Sequence, residues 1–544
     1  MILSFEFNYI SQNGLLENLL VSICEDFNIS YKIGKLENII TLKVEANEED
    51  LTNFSNTLSQ RIPLSIFFKS TAVNVVDNMD VNEFNLVPST LSLPFTPKVL
   101  EQSNPLMNNE IGKNTFNAKG IILNGEFFDS NYDELYSKAA NIIKNGKSLH
   151  INSASGSYEL GKIDQDTTFT NKFTVIPTDL SVIERMVVIR ENEIKAIASL
   201  EKPSLNLRVN TLYGTKDILP SNKVKMKLAD ELILLKICEK LYAEGIEFLY
   251  KSNCDNINFE NKLEISGEFI YIPQIEVSVL ENGEILILNG DGYSAPILKE
   301  NLKKFEEPAH AQFASIMQEH NLFDNKVSCF YLSKTHDDMI MHLSEKTGLL
   351  ELIKFPIMHS FKDIYDEIKS SNEGAKLLES YKNNFPEIYE QSLHVKIANK
   401  TPNSIYSIWG IASVILGFAD NLVNGANTLI SNSEDFGGQK GPRIDYLLLD
   451  KESIKSDFDM LRLIRSAMSF KVAGTDDITL SFGIMEALTY FLSDTSDSCK
   501  ENLSSQKTLL AGALFSSRRF SEMVCKNIAV NTQICLNKEL PIDN

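Results

Sequence analysis

The chain of 544 residues lacks the positive charge that binding a polyanion requires: 52 Lys and Arg stand against 73 Asp and Glu, a formal net charge of -21. Such a field repels phosphate backbones and anionic lipid, so nucleic acid and the membrane surface are excluded as expected partners and a basic protein surface is favoured. Cysteine is scarce too. Cys24, Cys238, Cys254, Cys329, Cys499, Cys525 and Cys535 are odd in number and form no C-x-x-C pair, so neither a disulfide framework nor a zinc knuckle follows from their spacing. Long hydrophobic runs are missing: Ile405 to Phe418 is interrupted by serines and glycines and is too short to span a bilayer. The opening residues, Met1 to Asn8, carry no basic segment and alternate like a strand, which predicts no signal peptide. No internal repeat of fixed period is visible. These absences together predict a reduced, cytoplasmic protein.

What is present is the composition of a soluble globular protein, 43% hydrophobic and 23% charged, in a chain long enough for about three or four domains. Residues 1 to 80 read as strand (Ile2 to Ile10), helix (Leu15 to Phe27), strand (Ile39 to Val44), helix (Glu48 to Arg61) and strand (Ala72 to Val76). Polar turns are expected at Gln12-Asn13-Gly14 and Ile33-Gly34-Lys35, giving a βαββαβ-like unit. Pro88, Pro94, Pro97 and Pro105 mark 81 to 119 as linker.

A second α/β block is expected from 120 to 212, with a helix from Tyr132 to Asn145 ended by Gly146 and a strand from Ser148 to Asn152. A third, 213 to 544, opens with an amphipathic helix around Lys225 to Tyr250. A hairpin follows, turning at Glu281-Asn282-Gly283 between Ile275 to Leu280 and Glu284 to Leu288. Helices dominate from there to Leu492.

Val44 to Leu64, Ala139 to Pro203 and Ala309 to Asn544 hold motifs that, block by block, resemble the domains of HypF, the carbamoyltransferase family of nickel-iron hydrogenase maturation. Val44-Glu45-Ala46, then Leu51, Phe54, Leu58 and Pro63-Leu64, follow the course of its acylphosphatase-like domain. Ala139-Ala140 to Gly146, Lys172-Phe173 to Ile176 and Ser199 to Pro203 are similar to segments of its YrdC-like domain, here reduced. Ala309-His310-Ala311, Ser315 to His320 and Ser404 to Gly410 resemble its Kae1-like domain of actin-type ATPase (ASKHA) fold. Near the C-terminus, Leu510-Ala511-Gly512-Ala513-Leu514-Phe515-Ser516-Ser517-Arg518 and Leu540 to Asn544 resemble the family's L-S-G-G-V-F-Q-N-R and P-x-N-D-G-G patterns. The implied fold is α/β with an α+β N-terminal domain; the family's paired zinc-finger region is missing.

The departures carry the functional reading. Where the family's first loop holds an arginine, this chain has Gln12 to Glu17, and a carboxylate there repels an acyl phosphate. The stretch Ile163 to Thr170 is acidic and lacks the K-x-R pair of a YrdC-like nucleotide site. The glycine-rich phosphate loop is replaced by Leu332-Ser333-Lys334-Thr335-His336, Ala513 stands for a glycine of the second loop, and Ser407 and Gly410 replace an Arg and an Asp. The resemblance offers Glu306, His310 and Asp543 for the family's metal ligands, a set suited to Fe or Zn. Read simply, the same three are a helix-start glutamate, a partly buried histidine and a turn aspartate, so no cofactor is expected, with one divalent metal (Fe or Zn) as the remaining candidate. Thr335 to Asp338 reads as a solvated turn, and Cys525 as a core residue.

The resemblance implies a non-catalytic accessory factor of hydrogenase maturation, similar to the shortened HydE-type proteins, with no catalytic residues. Its partners would be the hydrogenase precursor subunit or other hydrogenase maturation proteins. An ATP-dependent carbamoyltransferase of HypF type, acting in cyanide-ligand synthesis, is the alternative.

Overall fold

The structure, a computed structural model, describes residues 1–82, 100, 103–106, 116–167, 169, 172–254, 259–269, 274–291 and 296–543. It divides into two units, 1–279 with 289–293, and 280–288 with 294–544. Most of the expected linker, 81 to 119, lies outside the described residues.

In the first unit, alternation puts Phe5, Phe7 and Tyr9 of β1 (Ile2–Tyr9) on a buried face. Phe5 packs edge-on against Phe54 of α2 (Glu48–Arg61), with centroids 5.9 Å apart, and Phe27 of α1 (Leu15–Phe27) meets the same Phe54 ring at 5.5 Å. Helix α2 is specified locally. Asn47 Oδ1 accepts the Asp50 N–H at 2.9 Å, Glu48, Glu49 and Asp50 fill the positive first turn, and Arg61 stands in the last. The segment expected to turn at Ile33-Gly34-Lys35 is instead inside β2 (Ser30–Leu36), which pairs antiparallel with β3 (Ile39–Glu45). With β4 (Phe68–Val76) the sheet order is β2-β3-β1-β4.

The rest of this unit is a mixed sheet built from β5 (Phe116–Leu123), β6 (Glu126–Phe128), β7 (Leu149–Ser153), β8 (Gly156–Lys162), β9 (Thr174–Pro177), β10 (Val187–Val188), β11 (Ser204–Val209), β12 (Lys223–Met226), β13 (Phe248–Asn253), β14 (Lys262–Phe269) and β15 (Gln274–Val279). Its order is β15-β11-β12-β9-β13-β8-β7-β14-β5-β6, with β10 beside β11. Helices α3 (Tyr132–Lys144) and α4 (Leu232–Ala243) present Leu135, Ala139, Ile143 and Ile233, Ile237, Leu241 to one core at helical spacing. The long helix expected around Lys225 to Tyr250 is thus α4 alone, flanked by β12 and β13. The boundary expected at 212 falls inside this sheet, because β12 pairs with β11 and β13 with β8 and β9.

The second unit begins in the expected hairpin turn, where Leu280 N–H donates to Glu284 O at 2.8 Å, and the chain runs on into β16 (Ile285–Asp291). Its sheet joins β17 (Val327–Tyr331), β18 (Met339–Ser344), β19 (Gly348–Lys354), β20 (Lys507–Ala511) and β21 (Gln533–Cys535) in the order β19-β18-β17-β20-β21, with β17, β20 and β21 parallel. Around it lie α5 (Pro308–Glu319), α6 (Ile405–Leu416), α7 (Leu422–Asp435), α8 (Asp477–Leu503) and α9 (Arg518–Ile528). Helix α6 is buried at every residue. At Gly410 a Cβ would stand 2.6 Å from Leu422 O, so α6 approaches the start of α7 closely there. No described helix is long and apolar enough to cross a membrane.

Candidate functional site

In an open parallel sheet the crevice for ligands lies beyond the carboxyl ends of the strands. In the second unit those ends, after β17 and β20, are the two loops singled out by sequence, Leu332 to His336 and Gly512 to Ser517. They sit directly against each other: Leu332 N–H donates to Ala511 O and Leu514 N–H to Leu332 O, both at 2.9 Å. Gly512 has φ +102°, and a Cβ on it would lie 2.1 Å from Leu332 O.

Several backbone donors that such loops could offer to a phosphate are already occupied. Ser333 Oγ accepts from Thr335 N–H (3.1 Å) and His336 N–H (3.2 Å). Ser333 N–H goes to Asp338 Oδ1 at 2.6 Å, and Asp338 Oδ2 takes the Ile405 N–H at 2.7 Å, at the start of α6. Ala513 N–H goes to Asp543 Oδ2 at 3.0 Å. Asp543 also accepts the hydroxyls of Ser333 (2.5 Å) and Tyr331 (2.7 Å), so a partly buried carboxylate of the chain itself is held by the kind of donors that would hold a ligand anion. Lys334 Nζ donates to Ser516 Oγ at 2.8 Å.

The turn Thr335 to Asp338, expected to be solvated, is therefore partly internal: Asp338 is 1% exposed. Burial drives the Asp338 carboxyl well above the usual range despite its two amide bonds. For Asp543, burial acts upward, but His336, Ser333, Tyr331 and the Ala513 amide outweigh it and the pKa falls. His336, 3.7 Å from Asp543 Oδ1, is raised by that contact.

These two shifts have opposite pH windows. The Asp543 contribution is present above the ordinary carboxylate range and is lost as pH falls through its lowered folded value. The His336 contribution is complete below the ordinary histidine range and is lost as pH rises through its raised folded value. Thermal stability attributable to the pair should therefore peak between roughly pH 4 and 6.5. Melting curves of the native chain and of His336→Ala across pH check this; an unchanged alkaline limb in the variant would exclude His336.

The three residues offered for metal are placed with different partners. His310, on α5, has Nε2 3.3 Å from Glu351 Oε1. Glu306 is exposed ahead of α5, and Asp543 is engaged by Ser333, Tyr331 and Ala513. Among the described residues no group of three or more His, Cys, Asp and Glu side chains could hold a metal ion, so the donors do not fit a shared ion in this arrangement. Fe or Zn at these positions would require their rearrangement.

Two buried ion clusters in the first unit went unnoticed in the sequence. Glu17 of α1 is paired with Lys35 at 2.5 Å, and Lys35 also donates to Ser11 O at 2.9 Å. The first loop therefore carries a neutralised carboxylate in place of a free one. In the larger sheet Asp230 lies 2.7 Å from Lys227 and 3.9 Å from Lys251. The adjacent Glu231 accepts the hydroxyls of Ser153, Ser155 and Tyr158. Burial alone would raise Asp230, yet the two ammoniums hold it low; the same burial lowers Lys227. The available signal was the charge pair Asp230-Glu231 directly before the apolar run Leu232 to Leu235.

With this geometry the chain can be set beside known proteins. No family model matches it. The structure aligns over 100% of this chain and 97% of the T. kodakarensis HypF crystal structure, with a TM-score of 0.70 at 10% identity. The chain has the HypF fold. It also aligns over its full length, and 96% of the other chain, with the crystal structure of full-length HypF in the phosphate- and nucleotide-bound form, at TM-score 0.65 and 12% identity. By sequence it is 24% identical over 560 residues, covering 100% of both chains, to Protein HydE of Wolinella succinogenes. The HypF fold accounts for the mixed α/β architecture and for the collinear order of the motifs.

Proposed function

We propose that this protein is an accessory factor of nickel-iron hydrogenase maturation that works as a binding scaffold for a maturation partner or the hydrogenase precursor. The full-length likeness to a protein named HydE and to HypF supports the maturation role. One observation carries the non-catalytic reading: the Ala513 amide and the Ser333 and Tyr331 hydroxyls, donors at the two loops that a phosphate would need, are given to the carboxylate of Asp543. An ATP-dependent carbamoyltransferase of HypF type is the alternative, and it would need Asp543 to move away.

Calorimetry should give no ATP binding at physiological concentration, and sub-millimolar affinity would favour the enzyme. In a strain lacking the protein, hydrogenase activity should be lost while cyanide-ligand synthesis continues, and His310→Ala and Lys334→Ala should both restore activity. Failure of both variants, when folded, would return function to the loops.

A further inference from the structure

The second unit carries a groove of about 760 Å³ away from the two loops, between the turn Leu280–Glu284 and the end of α9 with β21. Three features give it the chemistry of a peptide site. Strand β21 ends its sheet among the described residues, bonded to β20 on one side, so the groove follows a sheet edge to which an extended chain can add. The apolar lining comes from Leu280, Cys525, Ile534 and Val530, the last 78% exposed. Its ionic lining is unbalanced: Glu281, Glu284 and Glu522, the last 3.8 Å from Arg518 on the same helix, share the groove with a single Lys526. Cys525, expected in the core, is only half-buried here, and burial together with Glu284 and Glu522 pushes its thiol up to about 12, which leaves it protonated and unreactive.

A fourth feature asks for a ligand directly. Thr532 lines the groove, is 6% exposed, and its Oγ1 has no hydrogen-bond partner. A buried hydroxyl left unpaired costs free energy that a bound chain's backbone could offset.

We infer that this groove binds an extended, basic segment of a partner protein, laid along β21 with lysine or arginine side chains toward Glu281, Glu284 and Glu522. This deepens the scaffold reading by naming the partner's chemistry, and it rests on that reading only for the identity of the partner. The binding itself is measured in vitro, so it can fail while complementation succeeds, and the reverse.

The probes are a fluorescently labelled peptide of alternating valine and lysine and its valine-glutamate counterpart, titrated with the full chain. The lysine peptide should bind and the glutamate peptide should not, with affinity falling about tenfold as salt screens the carboxylates. E284K/E522K should abolish that preference. Thr532→Val should weaken the lysine peptide without lowering the melting temperature, because it removes a hydroxyl that has no partner in the free protein. Equal binding of the two peptides, or a preference that survives E284K/E522K, overturns the proposal. So does self-association that E284K/E522K disrupts while the peptides fail to bind, which would give the groove to a second copy of this chain.

Discussion

Replacing Asp230 by alanine should destabilise the first unit by about 3–5 kcal/mol, the cost of leaving a buried charge without its partner. Lys227 and Lys251 are 4% and 6% exposed, and both ammoniums face this carboxylate, at 2.7 and 3.9 Å. With Asp230 gone, either two cations stay buried together or one loses its proton against its own preference. Gln274 Nε2, which donates to Asp230 Oδ2 at 3.0 Å, loses that acceptor as well. Asp230→Ala with Lys227→Met should cost less than Asp230→Ala alone, since one of the orphaned charges is removed with its partner. Urea denaturation gives the energies, and hydrogen exchange should place the loss in β12, α4 and β13. A cost below about 1 kcal/mol for Asp230→Ala would mean that water reaches the cluster.

The same cluster shows why parts of this fold resist reading from sequence. Helix α2 is found to the residue because its signals are local: the Asn47 cap, three acids in the first turn, Arg61 in the last. Strand β2 is missed because Gly34 looks like a turn, and the partner that makes it a strand, β3, is a matter of tertiary pairing. Lys227, Asp230 and Glu231 look like the polar face of one long helix, whereas each is buried, with distant partners in Gln274 of β15 for the first two and Ser153 of β7 for the third.

At the two loops the sequence shows only part of what occupies the backbone donors. The absence of glycine in Leu332 to His336 and the Cβ of Ala513 are visible in one line of text. That Asp543, picked out as a metal ligand, instead receives the Ser333, Tyr331 and Ala513 donors depends on contacts between segments about 200 residues apart in places, beyond any local pattern.

The relative weight of those two causes is testable at neighbouring positions. Gly512→Ala should destabilise the second unit by at least about 3 kcal/mol, since a left-handed φ of +102° already costs a side chain of order 1–3 kcal/mol. The added Cβ would also meet Leu332 O at 2.1 Å, and Leu332 C and N at 2.3 and 2.7 Å, all backbone atoms that no rotamer change can clear. Relief requires the two loops to part, which breaks the Leu332–Ala511 and Leu514–Leu332 hydrogen bonds. Ala513→Gly should change stability by only about 1 kcal/mol. It should also fail to confer nucleotide binding, because the residue 513 N–H would still be given to Asp543. The informative comparison adds Asp543→Asn to Ala513→Gly and titrates each variant with ATP. If affinity appears only when the charge at 543 is removed, the internal carboxylate is what excludes the nucleotide. ATP affinity gained by Ala513→Gly alone would put the Cβ at 513 in that role and favour the carbamoyltransferase reading.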